Sequence, residues 1–249
     1  MSEPVVVSPV VSPRSSELRT NYERIAEQVH RATQNAGRSP EEVRIIAVSK
    51  TQSIEVVQAA LDAGLRVFGE NYAQEIKDKG AFFANNPVQA EWHCIGHLQT
   101  NKVKMIAPYV HYVQSLDSPR LAQELNKAAA HVGRTIDVLL QVKTSDEETK
   151  SGCEAVELPA LVEAVLDCPH LRIQGLMTIA AFSDDIEYVR PMFRHLRSLR
   201  DTMQRDFPDT SFHELSMGMS GDFTAAIEEG ATMIRVGTAI FGARNYKNG

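Results

Sequence analysis

The chain has 249 residues, 43% of them hydrophobic and 23% charged, with a formal net charge of −6. This composition is typical of an ordinary globular protein, and the length is enough for one large core of α/β barrel size. The acidic balance and the lack of a basic stripe with interleaved aromatics argue against nucleic acid and anionic membranes as partners. No apolar run approaches the ~20 residues that cross a bilayer.

The cysteines indicate the redox compartment. The chain has three, Cys94, Cys153 and Cys168, and they are far apart. An odd number of widely separated cysteines favours reduced thiols over a disulfide framework. We therefore expect a cytoplasmic protein.

The first 16 residues, MSEPVVVSPVVSPRSS, contain a valine-rich stretch that is broken by Pro4, Pro9 and Pro13. This stretch lacks the basic segment that opens a secretory signal. We interpret residues 1–16 as a disordered tail and residues 17–246 as one folded domain.

Regular periodicity follows the tail. Apolar residues recur every three or four positions from Leu18 to Ala36, which predicts an amphipathic helix that ends at Gly37. Short β-like runs then alternate with helical patterns. The predicted strands are 43–48, 65–68, 91–95, 110–114, 136–142, 171–176, 212–216 and 232–236. The predicted helices are 54–63, 72–84, 100–107, 119–132, 154–167, 186–206 and 222–229. Eight such units predict a single-domain TIM-type (β/α)8 barrel of parallel strands.

Lys50 follows the first predicted strand, VRIIAV. A lysine in this position is usually the first solvated residue after a strand, because long cationic side chains extend to water. In a TIM barrel, however, the carboxyl ends of the strands form the mouth where chemistry takes place. Small, polar and glycine residues follow all the predicted strands, which indicates a mouth that a polar ligand can enter.

Two strand ends are typical of phosphate binding. The segment SMGMS, residues 216–220, follows the seventh strand, and Gly237 and Thr238 follow the eighth. TIM barrels commonly hold a phosphate at these two loops, although serine and glycine before a helix are often only a cap. Together with the amine of Lys50, the two segments indicate a Schiff base to a phosphorylated aldehyde.

Four segments stand in order on the predicted strand ends: AVSKTQSIEVVQAALDAGLRVFGENYAQE, WHCIGHLQTNK, GLMTI and LSMGMSGDFTAAIEEGATMIRVGTAIFGAR. They resemble the pyridoxal phosphate homeostasis proteins, which are relatives of the alanine racemase barrel. The resemblance extends from about Leu18 to Arg244 and leaves only the tail outside.

The resemblance implies a role for each matching position. Lys50 would form the internal aldimine, a Schiff base, with pyridoxal 5′-phosphate, and Asn71 would contact this cofactor. Arg235 would face the pyridine nitrogen of the cofactor. The residues that would hold the phosphate are Ser216, Ser220, Gly237 and Thr238. A charged guanidinium disfavours protonation of the ring nitrogen, so the ring is a weak electron sink.

Racemases of this fold pair the lysine with a tyrosine from a separate β domain, for which this chain has no residues left. Of its six tyrosines, only Tyr72 is expected near the site, and a tyrosine there more often packs. We therefore expect a monomeric carrier or regulator in vitamin B6 homeostasis, not an enzyme, that passes the cofactor to apoenzymes. A PLP-dependent racemase and an aldolase-like Schiff-base barrel remain alternatives.

The chain departs from the family pattern at two places. The loop KTSDEETKSG has Lys143 and Asp146 where the family has asparagine and glycine, and WHCIG has Cys94 where the family has phenylalanine. Lys143 is the rival amine for the Schiff base, although a lysine at a strand end is usually solvated. The resemblance makes Lys150 a candidate surface contact for passing on the cofactor.

A metal site is not predicted. His93, Cys94 and His97 have the right side-chain types, but strand alternation sends His93 and Cys94 to opposite faces of the sheet. No further pair of ligands follows them, whereas a structural zinc site needs four.

Overall fold

The computed structural model describes residues 12–145 and 151–242. Within these residues, eight parallel strands form a closed barrel in chain order, and β8 pairs back onto β1. The strands are β1 Arg44–Val48, β2 Val67–Glu70, β3 Glu91–Cys94, β4 Tyr112–Leu116, β5 Ile136–Gln141, β6 Leu171–Met177, β7 Glu214–Met219 and β8 Met233–Val236. The predicted TIM-type barrel is confirmed.

Nine α-helices accompany these strands in the described part of the chain. They are α1 Pro13–Asn35, α2 Ile54–Asp62, α3 Ala73–Phe83, α4 Val103–Ile106, α5 Pro119–His131, α6 Leu158–Leu166, α7 Ile186–Asp206, α8 Phe223–Glu228 and α9 Thr238–Phe241. None of the helices described combines the length and apolar character that crossing a membrane requires.

The start of α1 corrects one expectation. Residues 13–16 were predicted as part of the disordered tail, but α1 begins at Pro13. The Ser12 hydroxyl accepts a hydrogen bond from the amide of Ser15 at 3.1 Å, and the proline lies in the first turn, where its missing N–H costs nothing. The serine and proline therefore start a helix. Residues 1–11 lie outside the described chain.

Helix α1 contacts α9, the short helix that follows β8. The side chains of Arg14 and Asn21 donate hydrogen bonds to the carbonyl oxygens of Phe241 and Ile240, at 2.8 and 2.9 Å. Those carbonyls belong to the short helix α9, which follows β8. Because a four-residue helix is marginal by itself, this support from α1 helps to place Thr238, its first residue.

The core has two layers. Most buried apolar residues lie in one large cluster, and a smaller cluster comprises Ile46, Tyr112, Leu139, Met177 and Met233. The members of this smaller cluster come from β1, β4, β5, β6 and β8, as expected for side chains that fill the barrel interior. The buried polar side chains of His93, Gln114 and Arg235 stand on these strands or on their neighbours.

Three strands lie further along the chain than predicted. Strands β2, β4 and β7 each begin two residues later than predicted, and they end two or three residues later. Glu70 and Ser115 lie beyond the predicted ends of β2 and β4 but remain in the sheet, and β7 continues past Ser216 to Met219. Polar residues at the barrel mouth therefore belong to strands, which fixes their backbone more firmly than loops would.

Candidate functional site

The loops after β1 and β8 bring three predicted residues together at the barrel mouth. Lys50 follows β1, and Gly237 and Thr238 follow β8, which pairs with β1. These three residues line one small cavity of about 30 Å³. The Lys50 side chain is half-buried there.

Ser220, which follows β7, lies close to Thr238. The Thr238 hydroxyl lies 3.5 Å from the Ser220 hydroxyl. The backbone amides of Ser220, Gly221 and Gly237 have no intramolecular acceptor among the described residues. Two hydroxyls and unpaired N–H groups form a donor set that suits a phosphate.

A glycine allows β7 and α8 to approach each other beside this group. Gly218 has a φ of +93°, and a Cβ added there would lie 2.6 Å from the Cβ of Ala226 in α8. Only glycine fits such a contact at a positive φ. The close approach brings the start of α8 next to the β7 end that carries Ser220.

Arg235 lies inside the barrel and is 4% exposed. Its guanidinium donates to the Ser216 hydroxyl at 2.6 Å and to the carbonyl oxygen of Thr178 at 2.7 Å. Burial lowers the pKa of Arg235 to about 10, and the nearby carboxylate of Asp222 acts in the opposite direction. The guanidinium is therefore charged at neutral pH.

Ser216 stands apart from the other predicted phosphate residues. Its hydroxyl accepts from Arg235 and donates to Oε1 of Gln114 at 2.7 Å. A serine hydroxyl has one proton to donate, and here Gln114 receives it. In this arrangement Ser216 orients Arg235, and its predicted contact with phosphate stays a prediction.

A hydrogen-bond chain continues from Ser216 across the barrel interior. The Gln114 amide nitrogen lies 2.8 Å from Nδ1 of His93, and Nε2 of His93 lies 2.7 Å from Oε1 of Glu91. Arg44 donates to the same carboxylate oxygen at 2.9 Å. Since Gln114 donates to Nδ1, the His93 proton is on Nε2. Burial lowers the pKa of His93, which keeps the ring neutral.

Asn71 lies at the mouth but in a neighbouring groove. It follows β2 and lines a groove of about 380 Å³ together with Tyr72, His97 and Lys102. A Cβ added to Gly96 would lie 2.5 Å from the Asn71 carbonyl oxygen, so the two loops touch closely. The structure does not place Asn71 in the cavity that Lys50 and Thr238 line.

A buried ion cluster beside Lys50 was not predicted. Nζ of Lys79 contacts the Ser49 carbonyl oxygen and Oε1 of Glu70, both at 2.8 Å, and Oε2 of Glu75 at 2.6 Å. A lysine in the helical pattern AQEIKDKGAFF normally reaches solvent, so the sequence carries no signal for its burial.

Lys143, the rival amine, and Cys94 depart from the family pattern, and both contact neighbouring polar groups. Nζ of Lys143 pairs with Oε1 of Glu154 at 2.8 Å, and this contact raises the pKa of Lys143. The thiol of Cys94 lies 3.6 Å from the Gly96 carbonyl oxygen, and burial raises its pKa to about 12, so it stays protonated. Asp146 and Lys150 lie outside the described residues.

The predicted separation of His93 and Cys94 agrees with their surroundings. The His93 ring belongs to the interior hydrogen-bond chain, whereas Cys94 packs in the large apolar cluster. Over residues 12–145 and 151–242, no group of three or more histidine, cysteine or acidic side chains could hold a metal ion.

Comparison with known proteins gives the class and then the family. The family model described as the alanine racemase N-terminal domain matches residues 20–245. A pyridoxal phosphate homeostasis protein of Pasteurella multocida (strain Pm70) is 40% identical over 229 residues, which cover 92% of this chain and 98% of that protein. The chain therefore belongs to the pyridoxal phosphate homeostasis proteins, as its motifs predict.

Solved structures agree with this assignment. PipY of Synechococcus elongatus PCC7942, with PLP bound, matches with a TM-score of 0.76 and 35% identity, over 88% of this chain and 100% of that chain. An alanine racemase from Clostridium difficile 630 matches with a TM-score of 0.67 at 15% identity, over 93% of this chain and 58% of that chain. The second likeness shows a common fold alone.

Proposed function

We propose that this chain binds pyridoxal 5′-phosphate through Lys50 and keeps it available in the cell without using it as a catalyst. One observation carries this proposal: Lys50 lines the same cavity as Gly237 and Thr238. The cofactor supplies an aldehyde, which condenses with a neutral lysine amine with loss of water. The PLP-bound relative PipY, which covers most of this chain, supports the choice of ligand.

The donor set at the mouth fits the phosphate of this cofactor. The hydroxyls of Ser220 and Thr238 would donate to it, together with the amides of Ser220, Gly221 and Gly237. Hydrogen bonds to a charged phosphate are stronger than those between neutral groups. The Asp222 carboxyl beside this group accepts from the Met219 amide at 2.5 Å, and burial raises its pKa.

Lys143, the rival amine, is in contact with a carboxylate that favours its protonated form. Only the neutral amine can attack, and the ion pair with Glu154 stabilises the protonated form of Lys143. The Lys143 amine is also held by that carboxylate. We therefore assign the covalent bond to Lys50.

Arg235 would hold the cofactor ring without activating it. Its hydrogen bonds to Ser216 and to the Thr178 carbonyl keep the buried guanidinium in place. A permanent cation opposite the ring nitrogen keeps that nitrogen unprotonated, which limits carbanion stabilisation. This chemistry suits a protein that stores or passes on the cofactor in the cytoplasm, to PLP-dependent apoenzymes as partners.

A racemase is the second candidate, because the fold is shared with alanine racemase. The alanine racemase from Clostridium difficile 630 extends well beyond the matched region, since this chain covers 58% of it. Tyr72, the tyrosine nearest to Asn71, is 60% exposed and lines the neighbouring groove rather than the Lys50 cavity. None of the described residues that line the Lys50 cavity is a tyrosine.

The test is to incubate the purified protein with pyridoxal 5′-phosphate, reduce it with borohydride and map the adduct by peptide mass spectrometry. We expect a yellow protein with the adduct on Lys50 and none in Lys50→Ala. An adduct on Lys143 would overturn the assignment of the lysine. Exchange of the α-proton of amino acids in heavy water at an enzymatic rate would favour the racemase, and a colourless protein that reacts with sugar phosphates would favour an aldolase-like barrel.

A further inference from the structure

We propose that Lys79 is a positioning residue for Lys50: its buried ammonium, through Ser49 and Glu75, holds the strained turn that presents the Lys50 amine to the cavity. This inference rests on the proposed function, because it concerns the same covalent step. Lys79 belongs to α3 and does not line the Lys50 cavity.

The turn that carries Lys50 is closed and strained. The Gln52 amide donates to the Ser49 carbonyl oxygen at 3.0 Å, which makes residues 49–52 a four-residue turn. The third residue, Thr51, has a φ of +65°. Turns with a positive φ at this position normally use glycine or asparagine, and a β-branched residue there costs about 1–2 kcal/mol. Such strain persists only when the surroundings impose it.

The Lys79 cluster, which comprises Lys79, Glu70 and Glu75, contacts the turn on both sides of Lys50. On one side, Nζ of Lys79 donates to the Ser49 carbonyl oxygen at 2.8 Å, and the Ser49 hydroxyl donates to Oε1 of Glu70 at 2.6 Å. On the other side, the Thr51 amide donates to Oε2 of Glu75 at 2.9 Å. The same oxygen of Glu75 binds Nζ of Lys79 at 2.6 Å.

The three N–H donors of Lys79 are matched by three oxygens, one each from Ser49, Glu70 and Glu75. Lys79 is 4% exposed and Glu70 is fully buried. Among residues 12–145 and 151–242, one oxygen of Glu70, Oε2, finds no hydrogen-bond partner. A buried ion pair with an unsatisfied carboxylate oxygen is a poor way to gain stability alone. Its contacts instead converge on the two neighbours of Lys50.

The experiment separates the covalent step from binding of the phosphate. Two ligands are compared: pyridoxal 5′-phosphate, followed as borohydride-fixed adduct on Lys50, and pyridoxine 5′-phosphate, followed by calorimetry. The second has an alcohol instead of the aldehyde and cannot form a Schiff base. The variants are Lys79→Met, Glu75→Ala and the conservative Glu75→Gln, whose amide oxygen can still accept from the Thr51 amide.

We expect Lys79→Met and Glu75→Ala to lower adduct formation at a fixed aldehyde concentration by about tenfold or more. Both should bind pyridoxine 5′-phosphate within about threefold of the native affinity, because the phosphate donors follow β7 and β8. Glu75→Gln should recover most of the adduct. Equal losses for both ligands, or no loss of adduct, would overturn the positioning role.

The matched control is Glu229→Ala. Glu229 is also buried and pairs with Arg194 at 2.8 Å, but it lies at the end of α8, away from Lys50. This variant loses a comparable ion cluster and should keep both measurements within about twofold of the native values. If Lys79→Met does not fold, the pair Glu75→Ala and Glu75→Gln decides, because Glu75 is partly exposed. A native protein without any adduct on Lys50 would contradict the proposed function instead.

Discussion

Two buried cations lie at the mouth of the barrel, and the protein compensates their charges differently. Lys79 is in direct contact with the carboxylates of Glu70 and Glu75. Arg235 instead donates to the neutral oxygens of Ser216 and Thr178, and no carboxylate of the described residues lies within ion-pair distance of it. Carboxylates in contact with a cation cancel most of its electrostatic potential, so such a cation mainly holds its neighbours in place. A cation bonded only to neutral oxygens keeps a positive potential that can act on a ligand. This difference fits the positioning role that we propose for Lys79 and the role toward the cofactor ring that we propose for Arg235.

The largest expected effect is on stability. Lys79→Met leaves the Glu70 carboxyl buried without its cation, and removal of one partner of a buried pair costs about 3–5 kcal/mol. Arg235→Met removes hydrogen bonds to two neutral groups and should cost less, about 1–3 kcal/mol. The free energies of unfolding of both variants, from urea titrations, test this order. An equal or larger loss for Arg235→Met would show that Asp222 neutralises Arg235 as Glu70 neutralises Lys79.

The pH dependence of stability tests the protonation of Glu70, the buried carboxyl in contact with Lys79. Burial raises the pKa of the Glu70 carboxyl from its usual 4.5 to about 7, although the Lys79 ammonium acts in the opposite direction. The folded protein therefore binds this proton more tightly than the unfolded chain does. Its contribution to stability is complete below pH 4.5 and is lost as the pH rises through about 7.

The control for this prediction is Glu70→Gln, which cannot titrate. Relative to this variant, the native protein should lose stability between pH 4.5 and pH 7, as measured by urea unfolding across that range. The charged groups that face Glu70 are Lys79 and Glu75, and both stay in the variant. A native protein that instead gains stability over this range relative to Glu70→Gln would mean that Lys79 outweighs burial and keeps Glu70 ionised.

The hydroxyls of Ser220 and Thr238 give a prediction about ligand binding. Thr238→Ala or Ser220→Ala removes one hydroxyl from the group that we assign to phosphate, and a hydrogen bond to a charged group contributes about 1.5–3 kcal/mol. Each variant should therefore bind pyridoxine 5′-phosphate more than tenfold more weakly, measured by calorimetry. The aldehyde should still form an adduct on Lys50 when it is in large excess. Unchanged affinity in the double variant would refute the phosphate assignment.

The sequence predicted the barrel because its alternating strand and helix patterns depend on apolar residues that face the core. It also predicted that Lys50, Gly237 and Thr238 meet, since the topology alone joins the ends of strands 1 and 8. It placed the ends of β2 and β4 too early, because the polar residues Glu70 and Ser115 interrupt the apolar pattern, and it ended β7 at Ser216 instead of Met219.

The partners of the two buried cations could not be predicted. The burial of Lys79 depends on where α3 packs against the ends of β1 and β2, and a helical lysine has the same local pattern whether it is solvated or buried. The chain from Ser216 through Gln114 to His93 joins residues that are far apart in sequence. Contacts of this kind depend on the register between strands, which hydrophobic periodicity alone does not determine.

The smallest expected effect concerns the reactivity of the cofactor, and it tests the role that we propose for Arg235. Arg235→Glu would place a carboxylate opposite the ring nitrogen, favour its protonation and strengthen the ring as an electron sink. We expect a few-fold faster side transamination with a free amino acid, in which bound pyridoxal phosphate becomes pyridoxamine phosphate and the amino acid becomes a keto acid. Absorbance spectra and product analysis measure this rate.

Occupancy has to be matched before the rates are compared, because a buried glutamate can expel the ligand or become protonated. Arg235→Gln provides the control, since it removes the positive charge without adding a negative one. A gain in Arg235→Glu alone would show that protonation of the ring nitrogen limits the native protein. A gain in both variants would show that the native cation itself restrains the ring. Fully occupied variants that react no faster than the native protein would mean that Arg235 does not restrain the cofactor.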